Sequence, residues 1–519
     1  MKRYQKANEG IHAPEAAKER AARPAGRRSH ARWMGAAAAV LAVVILGGVA
    51  LWPGRPGDPS PMSLEGPRSI DLVPTPDPAS SPGPDPIPVS TDRTAALAAA
   101  VYPEMAPYPN AEDYASPLTG MVDYDQFEKD YSAWLVSREA LRSGTDYTGL
   151  LDGFLSASTR QFLANAGAEN RIYSPLNVYM ALSMLAETTG GNSREQILNL
   201  LGADSVETLR ARVSALWKDN YWDDGAVTSL LAISLWLRDG MTYSQSVLDT
   251  LAADYYASSF SGEMGSEEYN QALRDWLNEQ TGGLLEKYTA GVSMDPDTVL
   301  ALASTIYFKA AWSDGFIEDR TEQDIFHAPT GDVETDFMRR STQRTYYWGE
   351  RFAAVELLFE HGGSMWLILP DEGTSPDDLL ITGEGMDFLL ANKYNYTSSK
   401  YLKVNLSMPK FDVSSDLDLI GGLMELGVTD VFDDRVSDFG PLEASTDDPL
   451  CVSQVRHAAR VKVDEDGCEA AAFTLIGVGA TSAMPPEEEI DFVLDRPFIF
   501  AITGDSGLPL FTGVVNQPN

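Results

Sequence analysis

A hydroxyl or thiol becomes a nucleophile only beside a base that takes its proton and N–H groups that hold the developing oxyanion. The sequence offers one stretch with that look, Gly504-Asp505-Ser506-Gly507-Leu508-Pro509, where a serine stands in a tight Gly-flanked turn. The base is missing. His12, His30, His327, His361 and His457 are the five histidines, none stands in a partner motif upstream, and only ten residues follow Pro509. Between the apolar runs PFIFAIT and LPLFTGVV the same residues make a hairpin turn. The other stretch that stands out runs from Val463 to Pro486, VDEDGCEAAAFTLIGVGATSAMPP, with no charge between Glu469 and Glu487. At period two, Cys468, Ala470, Ala472 and Thr474 share one small face, opposite Glu469, Ala471, Phe473 and Leu475. Gly477, Val478, Gly479 and Ala480 then favour no regular element, and Pro485-Pro486 stop one. The stretch reads either as a buried strand followed by a turn or as half potential strand, half exposed loop.

The elements that must position these residues form a large α+β body. At 519 residues and 44% hydrophobic, the chain can bury a sizeable core. GLLDGFLSASTRQFLANAG and VYMALSMLAETT have helical spacing, the second ending at Gly190-Gly191, with Asn192-Ser193 as the expected cap of REQILNLLG. A short strand over Asn170–Tyr173 is stopped by Pro175. TVLALASTIYFKAAW, MWLILP and YLKVNLSMPKF read as strands, and SDLDLIGGLMELGV as a helix. Strands and helices do not alternate strictly, which excludes a doubly wound sheet.

Ahead of the body lie four segments. Residues 1–32 carry a basic tail of net charge +6, leaving −43 on the remainder out of −37 in all. That acidity argues against nucleic acid or an anionic membrane as a partner of the body. Trp33–Trp52 has twenty residues without a charge, the length of a bilayer span. The basic tail would stay in the cytoplasm, and a cleavable signal peptide is the alternative. Residues 53–92 form a Pro-rich spacer, and 93–145 an extension of short helix and loops packed on a body that starts at 146. Cys451 and Cys468 are too few for a disulfide framework and are expected as thiols. No metal or other cofactor is called for.

Several stretches together resemble one family, the serpins, of which the chain would be a bacterial-type member, anchored in the membrane through Trp33–Trp52. They are NRIYSPLNVYMALSMLAETTGGNSREQILNLLG, TIYFKAAWSDGFIEDRTEQDIFH, LSMPKFDVSSDLDLIGGLMELGVTDVF, VRHAARVKVDEDGCEAAAFT, and DRPFIFAI with LFTGVVNQP, in the family's order over residues 146–519. The resemblance implies an α+β fold of three β-sheets and about nine helices, with an exposed reactive-centre loop. It implies an inhibitor and not an enzyme. A serine protease cleaves the loop, forms an acyl-enzyme and is trapped when the loop inserts into the central sheet. The hinge would comprise Glu465, Asp466, Gly467, Cys468, Glu469, Ala470, Ala471 and Ala472, with Glu465 and Asp466 ending the preceding strand in solvent.

Counting seventeen residues from Glu465 puts the reactive bond at Thr481–Ser482. Counting back from Pro485-Pro486 allows Ser482–Ala483. A small residue before the cut suits an elastase-like or subtilisin-like protease. The matching shutter residues are Ser174, Asn177, Ser304 and His457, with Asn and Ser exchanged between Asn177 and Ser304, which would hydrogen bond with swapped owners. Trp312 matches the tryptophan at the breach, where insertion begins. The partner would be an extracellular serine protease met by a monomeric serpin domain, with the membrane reached through residues 33–52. The chain would sit in the cell membrane with that domain outside, or be secreted if the segment is cleaved. A non-inhibitory serpin acting as a cell-surface binding module is the alternative, against which the small-residue hinge argues. Gly504–Pro509 also resembles the nucleophile signature of chymotrypsin-like proteases, which need the absent histidine.

Overall fold

The computed structural model describes residues 95–116, 121–283, 291–445, 450–468 and 488–518. Residues 91–519 form one compact unit.

One strand decides the architecture. Leu300–Ala311 (β7), LALASTIYFKAA, is apolar on both faces over most of its length, so both faces must be covered. It lies in an eight-stranded sheet of order β1 (Ala95–Ala98), β6 (Ala257–Gly262), β4 (Val227–Arg238), β7, β16 (Gly467–Cys468), β15 (Val452–Val463) and β13 (Phe411–Asp418), with β3 (Trp222–Asp223) on β4. A nine-stranded sheet runs β17 (Glu489–Val493), β12 (Ser399–Pro409), β9 (Gly331–Trp348), β10 (Phe352–Leu358), β11 (Ser364–Pro370), β18 (Phe498–Thr503), β19 (Pro509–Val515) and β2 (Arg171–Tyr173), with β8 (Glu322–Ala328) on β9. A two-stranded ribbon pairs β14 (Glu443–Ser445) with β5 (Thr242–Tyr243). The described residues hold ten α-helices: α1 (Tyr124–Leu141), α2 (Asp152–Leu163), α3 (Pro175–Thr188), α4 (Gly191–Leu201), α5 (Val206–Asn220), α6 (Gln245–Asp254), α7 (Glu267–Gln280), α8 (Pro376–Thr382), α9 (Glu384–Leu390) and α10 (Ile420–Glu425).

The central helix is α3. Ser174 caps it by accepting from the Asn177 N–H, and Pro175 takes the first turn, where its missing N–H costs nothing. Every residue of α3 is buried, against β7, β4 and β19, so this helix fills the space between the sheets.

Three sequence expectations change. Asn192 and Ser193 do not cap α4, whose N-cap is Gly190. Their side chains instead reach across the chain: Asn192 donates to Asp430 and Ser193 Oγ accepts from the Asp438 N–H. The stretch Ser415–Val428 is helical only at Ile420–Glu425, because Phe411–Asp418 is held in an unbroken antiparallel ladder with β15. Tertiary pairing overrides the local helical spacing there. The extension also contributes more than a short helix and loops. Its β1 is the edge strand of the eight-stranded sheet and α1 is 18 residues long.

The eight-stranded sheet is divided along one seam. Strands β7 and β15 run parallel and pair from Val452–Leu300 to Ala458–Thr305, then part. At their far ends Gly467 pairs with Ala311 and Cys468 with Ala310, while Cys468 also faces Val463. Between these two places no described ladder joins Ile306–Lys309 directly to Ala459–Lys462. The chain after β15 thus turns back and wedges its first two residues between the separated strands.

That wedge requires a glycine. A Cβ on Gly467 would lie 2.2 Å from the Ala310 carbonyl oxygen, a contact that backbone cannot relieve. Cys468 beside it is fully buried. In a Cys451→Ser background, Gly467→Ala is therefore expected to raise the labelling rate of Cys468 by a soluble thiol reagent at least about tenfold, because about 1.4 kcal/mol of lost wedge stability changes a local opening equilibrium by that factor. Labelling at the unsubstituted rate would show that the wedge does not depend on this close approach.

Candidate functional site: a divided sheet and its hinge

The turn Asp464–Asp466 that leads into the wedge is held from two sides. Trp312, 2% exposed, donates from its indole Nε1 to the Asp464 carbonyl at 3.0 Å and from its backbone N–H to the Asp466 carbonyl at 2.9 Å. The Phe316 N–H donates to the Glu465 carbonyl at 3.1 Å. Trp312 is fixed in turn by stacking on Phe359, centroids 4.8 Å apart at 10°.

Glu465 does not end the strand in solvent, as the sequence suggested. Its side chain is 11% exposed, with Lys410 Nζ at 2.7 Å from Oε2 and the Thr321 hydroxyl donating to Oε1 at 2.6 Å. Burial alone would raise this carboxyl; the hydrogen bonds from Lys410 and Thr321 outweigh it and hold the carboxyl below its ordinary range. Lys410 is the single residue between β12 and β13, where the chain crosses from one sheet to the other. The ion pair therefore pins the base of the hinge to that crossing. Asp466 is exposed, as expected.

Farther down the seam, Ser174, Ser304 and His457 come together. His457 pairs in register with Ser304 across β15 and β7, and its Nε2 accepts the Ser174 N–H at 3.0 Å. The Tyr173 ring stands edge-on to the imidazole at 5.5 Å. Asn177 belongs to the same buried region, but the expected exchange of hydrogen bonds with Ser304 is not formed. Asn177 Oδ1 and Nδ2 make no protein hydrogen bond, nor does His457 Nδ1. Ser174 Oγ accepts the Asn177 backbone N–H as the cap of α3.

Of the remaining hinge and reactive-bond residues, Glu469, Ala470, Ala471, Ala472, Thr481 and Ser482 lie outside the described residues. Lys410, Thr321 and Phe359 were not identified from the sequence. Each reaches the hinge across a long stretch of chain, and no local pattern marks it. Cys451 and Cys468 form no disulfide. The Gly504–Pro509 stretch is the β18–β19 turn, in which Ser506 Oγ donates to Asn220 Oδ1 at 2.7 Å and Asp505 is bound by Arg138 and Arg142. Neither partner is a base.

The serpin (serine protease inhibitor) family model matches residues 153–518. This chain is a serpin. A rice protein named putative serpin-Z6C (Oryza sativa subsp. japonica) is 31% identical over 396 residues, 70% of this chain and 94% of its own length. The leukocyte elastase inhibitor of the pig (Sus scrofa) is 30% identical over 362 residues, 68% of this chain and 94% of its own. Among solved structures, tengpin, a thermophilic serpin in its native state, superimposes with a TM-score of 0.64 at 26% identity, covering 72% of this serpin and 96% of that chain. In this serpin the seam between β7 and β15 holds Gly467 and Cys468 at its parted end.

His457 gives the seam a measurable signature. Burial lowers its pKa from 6.5 to about 4, so the folded protein holds it neutral where the unfolded chain would already be protonated. Between those two values the unfolded state binds the extra proton, and stability falls as pH falls from about 6.5 to about 4. The contribution is on the order of 3 kcal/mol across that window. Urea denaturation at stepped pH should show it, and His457→Gln should remove that part of the slope. Parallel slopes for the two proteins would contradict a neutral buried imidazole.

Proposed function

We propose that this serpin is an extracellular suicide-substrate inhibitor of serine proteases of elastase-like or subtilisin-like specificity, and that it is not itself an enzyme. The protease serine Oγ attacks the Thr481 carbonyl carbon. The Thr481–Ser482 C–N bond breaks, the protease histidine protonates the departing Ser482 amine, and an ester to Thr481 remains. Insertion of the freed hinge then competes with hydrolysis of that ester by water. The membrane-anchored, bacterial-type arrangement and a monomeric serpin domain are parts of the same proposal, resting on residues 1–92 and on the family. Among the described residues no helix is long and apolar enough to cross a membrane, and Trp33–Trp52 lies outside them.

The observation that carries the reading is the register of the wedge. Continuing the Gly467–Ala311 and Cys468–Ala310 pairing along β7, and the Cys468–Val463 pairing along β15, gives the same answer from both sides. Ala470 falls between Phe308 and Val461, and Ala472 between Ile306 and Ala459. Thr474 falls between Ser304 and His457, and Val478 arrives at Leu300, the first residue of β7. The neighbours of Cys468, Ala470, Ala472 and Thr474 on this path are all buried, which is the environment their small side chains suit. Glu469 falls between Lys309 and Lys462, both at least partly exposed, so the one charge in the inserted segment meets two of opposite sign. The pig relative named leukocyte elastase inhibitor fits a small residue before the cut.

Mixing the protein with elastase, trypsin and chymotrypsin, followed by SDS gels and mass spectrometry of the fragments, tests the reading. An SDS-resistant elastase complex and cleavage at Thr481–Ser482 are expected. A complex with trypsin alone would refute the specificity, and cleavage without a complex or a rise in thermal stability would refute the inhibition. Thr474→Arg would force a guanidinium against the buried His457 and Ser304. It should leave cleavage intact but raise the stoichiometry of inhibition at least about tenfold, the equivalent of about 1.4 kcal/mol on the insertion barrier. An unchanged stoichiometry would refute the register.

A further inference from the structure

The seam can open only if the strands on one side move away from those on the other. One side holds β7, β4, β3, β6 and β1, tied together by ladders that include eleven paired residues between β4 and β7. The other holds β15 and β13. The extension, residues 95–142, binds the first group and the nine-stranded sheet at once. On the first group, β1 pairs with β6, and the Ala100 N–H donates to Ser258 Oγ at 3.2 Å. Tyr102 stacks on Trp217 at 5.4 Å and on Tyr221 at 5.2 Å, both carried by the helix and cap that lead into β3. The turn between β3 and β4 is held more tightly. The Asp224 carbonyl accepts the Tyr108 N–H at 2.6 Å, and its carboxylate accepts Trp134 Nε1 at 3.2 Å. The Arg138 guanidinium lies 4.3 Å over Trp222.

The same three residues of the extension also grip the second sheet. The Tyr108 and Trp134 rings lie 4.5 and 5.7 Å from the His361 imidazole, in the turn between β10 and β11. Arg138, 7% exposed, donates to Asp505 at 3.1 Å in the turn between β18 and β19. His361 is two residues from Phe359, the ring on which Trp312 stacks. Trp134 thus reaches the same β10–β11 turn from which Phe359 supports Trp312 and the hinge carbonyls it holds. An extension that merely covered apolar surface would need no cross-sheet ion pair through a buried arginine, a costly group to place there.

We propose that residues 95–142 are a strap that holds the mobile half of the divided sheet against the nine-stranded sheet and so sets the rate at which the seam opens. The proposal rests on the insertion reading above. Removing the strap's central contacts should lower the barrier to uncut, spontaneous insertion as well as to insertion after cleavage.

The test follows the first-order loss of elastase-inhibiting capacity of the whole protein during incubation at moderate temperature, together with the heat stability of the product. Trp134→Ala should convert about tenfold faster than the unsubstituted protein, to a monomer more heat-stable than the starting form, and Tyr108→Ala should convert at an intermediate rate. Trp134→Phe, which keeps the ring, and Val136→Ala, on the exposed face of the same helix, should convert at the original rate. Equal rates throughout would overturn the strap. So would faster loss that yields only unfolded or aggregated chain, the result expected of ordinary packing. If the unsubstituted protein gains no heat stability on loop cleavage, the insertion reading fails and takes the strap with it. If it does gain stability while the variants keep its rate, the strap alone fails.

Discussion

An incomplete ladder is the constraint on which the rest of this molecule depends. Two neighbouring strands, β7 and β15, run parallel, pair over half their length and then separate. Backbone groups at a sheet interior need partners, and leaving them without costs free energy comparable to a lost hydrogen bond. A sheet that parts in its own middle leaves room for a further strand, and the proposed insertion is the alternative that would fill it. Here Gly467 and Cys468 already occupy the first two positions of that alternative. The same logic applies one layer down, where Asn177 and His457 keep buried polar atoms without protein partners beside the place where the register brings Thr474. A hydroxyl delivered between Ser304 and His457 is the kind of group such a site lacks.

The residues around the seam divide the work between holding and yielding. Glu465, Lys410 and Thr321 anchor the base of the hinge, Trp312 holds the turn after it by two carbonyls, and Gly467 lets the chain approach β7 more closely than any side chain would permit. None of these contacts lies within the path of the next residues. On the proposed insertion path, Glu469 to Ala472 would face Ile306–Lys309 and Ala459–Lys462, which no described ladder joins to each other, so those four positions require no β7–β15 rung to break. Phe473 and Thr474 are the first whose places are occupied, by the pairs Thr305–Ala458 and Ser304–His457. On the proposed insertion path the barrier would therefore sit at the shutter residues and not at the hinge. This gives a physical reason for a buried histidine and a helix cap to meet there.

How far the sequence revealed this depended on the range of the interaction that decides each element. The apolar strand β7 and the body of helix α3 were legible because their own residues carry the period, whereas the Ser174 cap and the first turn at Pro175–Asn177 read in the sequence as the end of a strand. The small face of Cys468, Ala470, Ala472 and Thr474 was legible for the same reason. The stretch Ser415–Val428 misled because its leucines suit a helix, while its first residues answer to β15. Glu465 was misplaced because nothing near it in sequence announces Lys410. The extension was the largest omission. Phe127, Tyr131, Trp134 and Arg138 share one face of α1 at helical spacing, but the stripe is closed by an arginine, and Leu135 and Val136 point outward at 45% and 71% exposure. An arginine that lies over Trp222 and binds Asp505 counts as surface in any reading by hydrophobic pattern, although here it is core.

The balance of hydrogen bonds decides the direction in which this fold can move. Separating β7 from β15 along their paired stretch breaks one parallel ladder of six residue pairs. A strand running from Gly467 to Val478 would replace it with two antiparallel ladders, one to each neighbour, along the full length of β7. With each net hydrogen bond worth about 1 kcal/mol and each ordered residue costing about 1–2 kcal/mol, the new ladders do no more than offset the ordering of the inserted residues, and burial of Ala470, Ala472 and their neighbours is what would tip the exchange toward insertion. A downhill exchange cannot be what keeps the uninserted form in place. On the proposed insertion path, what keeps it is the cost of breaking the Thr305–Ala458 and Ser304–His457 rungs, the step on which the proposed strap would also act.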